Sequence, residues 1–256
     1  MERRLLIYPI EPKRVDTYPC HKPPWGFVDI IVIFILIMLF GVFFGLFGAR
    51  LVNRVLVLFP QMGSFKAAAL YTAGFLQGIL LVALVLISAW LRKGSLASLG
   101  LQNFSWRSLF VYGVNGGFGV FLLVTILMSL ITSFVDQPLE PQPVAELILN
   151  ARSWSQIILP LVLVGIFAPV SEELFFRGFI FPVLRSRLGA VWGIIATACF
   201  FGIMHFDLVR FIPLAIGGAC LAFFCEKSKS LYPAIAAHSM WNTVMTLFVF
   251  FYNMNL

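Results

Sequence analysis

Long apolar runs alternate with short polar segments along most of the chain, and this alternation is the main guide to its secondary structure. Each run is near the ~20 residues that an α-helix needs to cross the hydrocarbon core of a bilayer. No linker, repeat or low-complexity tract divides the runs into separate domains. The pattern therefore predicts an all-α, polytopic transmembrane helix bundle with about seven spans. The predicted spans are residues 27–48, 69–91, 108–134, 157–185, 190–206, 210–226 and 232–252.

The number of spans depends on residues 157–185, because Pro169 interrupts this run. The run forms either one long kinked helix or two short spans, which would make eight spans in total. Pro169 would clash with the carbonyl four residues back, and the residue there is Gly165, which leaves room for the distortion. With seven spans and an inner N-terminus, the inner segments hold twelve lysines and arginines and the outer segments five. With eight spans the division is nine against eight, so the positive-inside rule favours seven.

The segment before the first run, residues 1–26, carries five basic residues and several prolines and is expected to be an irregular cytoplasmic arm. Trp25 at its end is interpreted as a marker of the membrane interface, since tryptophan favours headgroup depth. Asp29, at the mouth of the first span, is interpreted as an interfacial or capping carboxylate. A short surface helix is expected within residues 49–68. Residues 27–256 then form a single transmembrane domain.

Composition supports this class of protein and narrows its partners. The chain is 61% hydrophobic and 11% charged, whereas soluble domains are about 45–50% apolar and about 25% charged. The net charge of +7 is spread between the apolar runs, so membrane orientation explains it better than nucleic-acid binding does. Four cysteines without CxxC spacing predict neither a disulfide framework nor a zinc knuckle. We expect an integral membrane protein, in the bacterial inner membrane, with a cytoplasmic N-terminus and no nucleic-acid partner.

Two carboxylates and an arginine interrupt the otherwise apolar fourth run: Glu172, Glu173 and Arg177. An ionisable group at membrane depth costs at least ~2.5–3.5 kcal/mol on insertion scales, so three of them within six residues indicate a function. Glu173 and Arg177 are four residues apart, and are therefore neighbours on one helix face in the favoured order for an ion pair. Glu172 points about 100° away from Glu173. This spacing favours one free carboxylate, able to act as a general base, beside a neutralised pair.

The later spans contain three more polar residues of interest, His205, His238 and Asn242. His238 and Asn242 are again four residues apart and share a helix face. A carboxylate with a histidine partner can position and deprotonate a water molecule. A second histidine with an amide can donate hydrogen bonds to the oxyanion of a tetrahedral intermediate. Together with Glu172, these residues suit peptide hydrolysis.

Three ordered motifs carry a resemblance to a known family. In chain order they are Glu172-Glu173-x-x-x-Arg177, Phe201-x-x-x-His205 and His238-x-x-x-Asn242. Together they resemble the motifs of the CPBP family of intramembrane glutamic proteases, which includes CAAX prenyl endopeptidases and bacteriocin-processing or self-immunity proteins. The resemblance covers roughly residues 157–252, which are therefore the expected catalytic core.

The resemblance implies that the chain is an endopeptidase acting on a hydrophobic or lipidated peptide or protein, such as a CAAX-type prenylated one. Glu172 would be the catalytic carboxylate, and His205 would be its partner in activating water. His238 and Asn242 would stabilise the oxyanion.

The resemblance also implies that Glu173 and Arg177 orient the site, and that no metal or other cofactor takes part. Two further segments, Pro23-Pro24-Trp25 and Leu99-Gly100-Leu101, resemble features that often precede the core in bacterial members.

Two other functions stay open on the residues alone. A zinc-dependent membrane protease would use Glu172, His205 and His238 as metal ligands. A non-catalytic membrane scaffold or immunity protein would bind a membrane partner and would tolerate the loss of Glu172.

Overall fold

The computed structural model describes residues 18, 22–102, 104–135, 139–151 and 153–254, so most of the predicted arm lies outside the described residues. Within these residues the fold is all-α, with eight helices and no strand, which confirms the predicted fold class. The helices are α1 (Phe27–Phe47), α2 (Ala49–Leu58), α3 (Phe65–Leu91), α4 (Trp106–Thr132), α5 (Pro143–Leu149), α6 (Trp154–Ile203), α7 (Leu208–Ser228) and α8 (Tyr232–Met254).

Six helices in the described part of the chain are long and apolar enough to cross a membrane: α1, α3, α4, α6, α7 and α8. α6 is 50 residues long, and at Gly189 its backbone leaves the helical conformation, with φ 78° and ψ 175°. Glycine adopts this φ readily because it has no Cβ. α6 therefore has a proximal part, residues 154–188, and a distal part, residues 190–203, which correspond to the fourth and fifth predicted spans. The proximal part runs through Pro169 without a break.

The first of two π-helical stretches in α6 is Leu163–Phe167, and it lies just before Pro169. In this stretch the N–H of Ala168 bonds to the carbonyl of Leu163, five residues back instead of four. The next residue is Pro169, which has no N–H. The carbonyl of Val164 therefore receives a hydrogen bond neither from Ala168 nor from Pro169.

A second π-helical stretch, Leu174–Ile180, follows the two glutamates and repeats the same arrangement. The N–H of Phe181 bonds to the carbonyl of Phe176, again five residues back. The next residue is Pro182, which has no N–H. The carbonyl of Arg177 is therefore also left without a donor from the helix backbone.

The centre of the bundle is the second half of proximal α6, where every residue from Leu174 to Val183 is buried. α7 packs along the distal part of α6, and α8 packs against both α4 and proximal α6. Gly165 allows this last approach, since a Cβ there would lie 2.7 Å from Oγ1 of Thr243. The charged motif thus lies on the most enclosed helix of the fold.

Trp25, interpreted from the sequence as a marker of the membrane interface, is buried against α6 and is not exposed to lipid headgroups. Only 4% of its surface is exposed. Its ring stacks on Phe179, with 4.8 Å between the ring centroids, and its Nε1 donates a hydrogen bond of 2.8 Å to the Phe179 carbonyl. Both the apolar ring and the polar N–H of the indole are satisfied against α6, which makes burial favourable.

Two smaller expectations are confirmed. Asp29 caps α1. Its Oδ2 accepts a hydrogen bond of 2.8 Å from the backbone N–H of Gly26, and its Oδ1 accepts one of 2.9 Å from Nε of Arg92. α2 is the short, largely exposed helix expected within residues 49–68.

Candidate active site

A cavity of about 440 Å³ inside the bundle is lined by all four residues of the predicted catalytic set. Glu172 reaches the cavity from proximal α6, and His205 reaches it from the turn after distal α6. His238 and Asn242 reach it from α8. Helix packing therefore collects three separate motifs around one space.

Glu172 stands at a junction between two cavities. Its half-buried side chain makes no hydrogen bond or ion pair with any other residue that the structure describes. Together with His205, it also lines a second cavity of about 220 Å³ that extends toward α1. The carboxylate is therefore available to a water molecule or a substrate from either side.

Glu173 forms a fully buried ion pair with Arg177, as the four-residue spacing predicted. Arg177 donates from one guanidinium nitrogen to Oε1 of Glu173 at 2.7 Å, and from another to the Gly218 carbonyl at 2.8 Å. The guanidinium also lies 4.6 Å from the ring centroid of Phe201, within cation–π range. These contacts neutralise Glu173, since buried charges are tolerated only when they are paired and hydrogen-bonded.

His238 belongs to the same ion-pair cluster, a contact that sequence reasoning missed. Its Nδ1 lies 2.8 Å from Oε1 of Glu173. With an ionised carboxylate as the acceptor, Nδ1 is the nitrogen that carries the hydrogen, so Nε2 is the nitrogen left for the cavity. Nε2 can accept a hydrogen bond when the ring is neutral and can donate one when the ring is protonated.

His205 lies in the turn that follows the end of α6 at Ile203. Its Nδ1 is 2.9 Å from the Phe201 carbonyl, and a carbonyl can only accept, so Nδ1 donates and, when the ring is neutral, Nε2 carries the lone pair. Asp207 begins α7 directly afterwards and accepts the N–H of Arg210 at 3.0 Å. Burial alone raises the pKa of Asp207, but the hydrogen bonds and charge of Arg210 outweigh it and lower that pKa. An ionised cap therefore holds the turn that carries His205.

Asn242 is held by the first of the two carbonyls that α6 leaves without a backbone donor. Its Nδ2 donates to the Val164 carbonyl at 2.9 Å. An amide nitrogen has two hydrogens, so one is left for the cavity that Asn242 lines. The π-helical stretch, Pro169 and Asn242 thus act as one unit that positions a hydrogen-bond donor.

Gln77 on α3 is a second feature that sequence reasoning missed. Its side chain lines both the main cavity and the cavity toward α1, as Glu172 and His205 do. An amide in the apolar run 69–91 was the signal in the sequence that pointed to it. Its amide can donate or accept a hydrogen bond where the two cavities meet.

A side chamber of about 600 Å³ adjoins the main cavity on the side of Asn242. The two spaces share Val164, Trp241 and Asn242 as wall residues, and α5 contributes Val144 to both. The wall of the side chamber is mainly apolar and includes Val124, Met128, Ala145, Ile148, Met245 and Val249.

Within the described residues, no three His, Cys, Asp or Glu side chains are close enough to hold a metal ion. A zinc site would require Glu172, His205 and His238 to converge on one point.

Comparison with known proteins finds similarity over the same helices. Residues 154–244 match a family model described as Type II CAAX prenyl endopeptidase Rce1-like. Over 89 residues the chain is 29% identical to the Bacillus subtilis (strain 168) protein named "Putative membrane peptidase YdiL". This alignment covers 35% of the chain and 36% of the relative, so the chain spans about a third of the length of this curated relative. No solved structure matches the chain.

The matched region contains α6, α7 and the first half of α8, and so it holds all three motifs. Over residues 154–244, this chain is therefore similar to the Rce1-like family of membrane endopeptidases, in line with the resemblance of its three motifs to the CPBP family.

Proposed function

We propose that the protein is an intramembrane endopeptidase that hydrolyses a peptide bond in a hydrophobic or lipidated substrate, with Glu172 and His205 activating water. One observation carries this proposal. Glu172 shares a cavity with His205 and has no partner among the described residues, while the adjacent Glu173 is neutralised by Arg177. A free carboxylate in a largely apolar cavity has no structural task, whereas a general base needs this setting.

The first step is attack by water on the peptide carbonyl. Glu172 accepts one proton of the water, and the lone pair on Nε2 of His205 accepts a hydrogen bond from the other. The water oxygen then bonds to the carbonyl carbon, and the carbonyl oxygen becomes an oxyanion. Collapse of this intermediate breaks the C–N bond, and the protonated Glu172 delivers its proton to the leaving nitrogen.

The oxyanion is stabilised from α8. Asn242 donates the amide hydrogen that Val164 does not use, and His238 donates from Nε2 when its ring is protonated. Glu173, which holds Nδ1 of His238, stabilises the positive ring as negative charge develops on the substrate. Donors fixed before the reaction stabilise a developing charge most effectively in a site that excludes water.

The shape of the cavities supports an apolar substrate. The main cavity and the side chamber meet at Asn242, and the chamber is large enough for an extended apolar group. The family match favours a CAAX-type prenylated peptide, and a hydrophobic peptide without a lipid fits the same walls. The distribution of basic residues favours an inner-membrane protein with a cytoplasmic N-terminus.

The test compares wild type with Glu172→Gln in proteoliposomes, using prenylated and unprenylated peptides with and without a chelator. Glu140→Gln is the matched control, because this side chain is exposed. We expect wild type and Glu140→Gln to cleave, Glu172→Gln to lose cleavage by at least about 10²-fold, and the chelator to have no effect.

Other outcomes would each contradict the proposal in a different way. Full activity of Glu172→Gln would remove Glu172 from the mechanism. Loss of wild-type cleavage in chelator, restored by zinc, would establish the zinc-dependent protease. Failure of wild type to cleave any peptide would favour a scaffold or immunity protein.

A further inference from the structure

The segment before α1 contains two buried aromatic residues that the proposed mechanism does not use. Tyr18 is 3% exposed and Trp25 is 4% exposed. Both reach the second π-helical stretch of α6, far away in the chain. Tyr18 donates its hydroxyl to the Arg177 carbonyl at 2.6 Å, and Trp25 donates to the Phe179 carbonyl.

Tyr18 supplies a hydrogen bond that α6 is unable to supply for itself. The Arg177 carbonyl has no backbone donor, because Phe181 bonds to Phe176 and Pro182 has no N–H. A buried carbonyl without a donor is strongly disfavoured. Burial raises the pKa of Tyr18 well above its usual value, so its hydroxyl stays protonated and able to donate.

The rest of the fold is shaped to admit these two rings. Gly100 has a φ of +82°, and a Cβ there would lie 2.8 Å from the ring of Tyr18. A Cβ on Gly94 would lie 2.9 Å from the ring of Trp25. The residues of both motif-like segments noted before the core, around Trp25 and Gly100, therefore meet at one place on α6.

The same arrangement occurs twice on α6, and its first occurrence serves the proposed site. There, the orphan carbonyl of Val164 holds Asn242. In the second, the orphan carbonyl belongs to Arg177 itself, whose guanidinium binds Glu173, which in turn binds His238. A fixed backbone at Arg177 therefore holds the guanidinium that binds Glu173, and Glu173 in turn holds His238 at the cavity.

We propose that Tyr18, supported by Trp25, is a positioning residue: it holds the backbone of Arg177 so that the Arg177–Glu173–His238 chain presents His238 to the substrate. This inference rests on the proposed function for its effect on catalysis. It also predicts a change at His238 that is measurable without any cleavage.

The first experiment measures kcat and KM for Tyr18→Phe, which keeps the ring and removes the hydroxyl. Tyr71→Phe is the matched control, because Tyr71 is also buried but lies outside the cavity wall. We expect Tyr18→Phe to lower kcat roughly tenfold with KM within about twofold, as for loss of a transition-state contact. Tyr71→Phe should change neither constant. Trp25→Phe should also lower kcat, by a smaller factor than Tyr18→Phe.

The second experiment uses ¹⁵N-histidine-labelled protein in micelles, where NMR reports on the three histidine rings of the chain. The His238 signals are assigned with His238→Gln. We expect Tyr18→Phe to shift the Nδ1 and Nε2 resonances of His238 and to leave those of His205 in place. Tyr71→Phe should leave both unchanged.

A purely structural role for Tyr18 would lower the yield of folded protein without altering kcat per folded molecule or the His238 resonances, and that result would overturn the proposal. If wild type cleaves nothing, the proposed function fails, and the NMR result still decides whether Tyr18 positions His238.

Discussion

At the scale of single residues, two adjacent glutamates with the same chemistry have opposite environments. Glu172 faces a cavity and has no partner in the described part of the chain, whereas Glu173 is completely buried between Arg177 and His238. A helical step of about 100° is enough to separate these environments. We therefore expect mutation of Glu172 to lower activity and mutation of Glu173 to lower stability.

Glu173→Gln should destabilise the fold, because it leaves Arg177 charged and buried without its counterion. Breaking a buried pair in this way costs about 3–5 kcal/mol. Thermal unfolding in detergent, followed by tryptophan fluorescence, should show a clear fall in Tm for Glu173→Gln and almost none for Glu172→Gln. Equal Tm values for the two variants would contradict the assignment of Glu173 to the structural pair.

Asn242→Ala should slow catalysis and have a smaller effect on substrate binding. Removing one oxyanion donor typically lowers kcat by about 10²–10³-fold. Steady-state kinetics on the cleaved peptide would measure this effect. Asn53→Ala, on the exposed face of α2, is the control. A change confined to KM would place Asn242 in substrate binding instead.

At the scale of elements, proline and π-helix act together on α6. Each π-helical stretch ends just before a proline, and each leaves one carbonyl that a distant side chain must satisfy. These carbonyls belong to Val164 and Arg177, and their donors are Asn242 and Tyr18. Prolines usually break helices, whereas here they leave two carbonyls free to bind the side chains of Asn242 and Tyr18.

Pro169→Ala tests this coupling. An alanine restores an N–H that can bond to the Val164 carbonyl and compete with Asn242. We expect kcat to fall about tenfold, while Tm stays equal or rises, because alanine favours the helix. In a double-mutant cycle with Asn242→Ala the two effects should be strongly non-additive. Additive effects would show that the proline does not act through Asn242.

At the scale of the whole molecule, three cavities lie next to one another in a series. The cavity toward α1 and the main cavity share Glu172 as a wall residue, and the main cavity and the side chamber share Asn242. Five helices, α3, α5, α6, α7 and α8, contribute to the main cavity or its edges, so no single element encloses it. The series provides apolar space on either side of the proposed cleavage point.

Ala145→Phe should narrow the range of substrates. This residue lines the side chamber but not the main cavity, so a phenyl ring there should exclude long apolar groups and spare the catalytic residues. The ratio of kcat/KM for long over short apolar peptides should fall by about tenfold or more. Ala49→Phe, at an exposed position on α2, is the control. An unchanged ratio would show that substrates do not enter the chamber.

Local sequence determined much of this architecture. Apolar runs predicted the long helices, and Pro169 did not split the fourth run. The described chain has six helices able to span a membrane instead of the predicted seven spans, because the fourth and fifth runs lie in one helix, α6. Four-residue spacings predicted that Glu173 meets Arg177 and that His238 shares a face with Asn242. These predictions succeeded because helix length and helix face depend on residues within a few positions of one another.

Tertiary structure alone decided the contacts that complete the proposed site. The bond from His238 to Glu173 joins residues 65 positions apart, and the bond from Tyr18 to Arg177 joins residues 159 positions apart. The position of Gln77 at the cavity junction and the burial of Trp25 against α6 also depend on how helices pack. No short-range spacing encodes such contacts, because they arise from the directions in which separate helices meet.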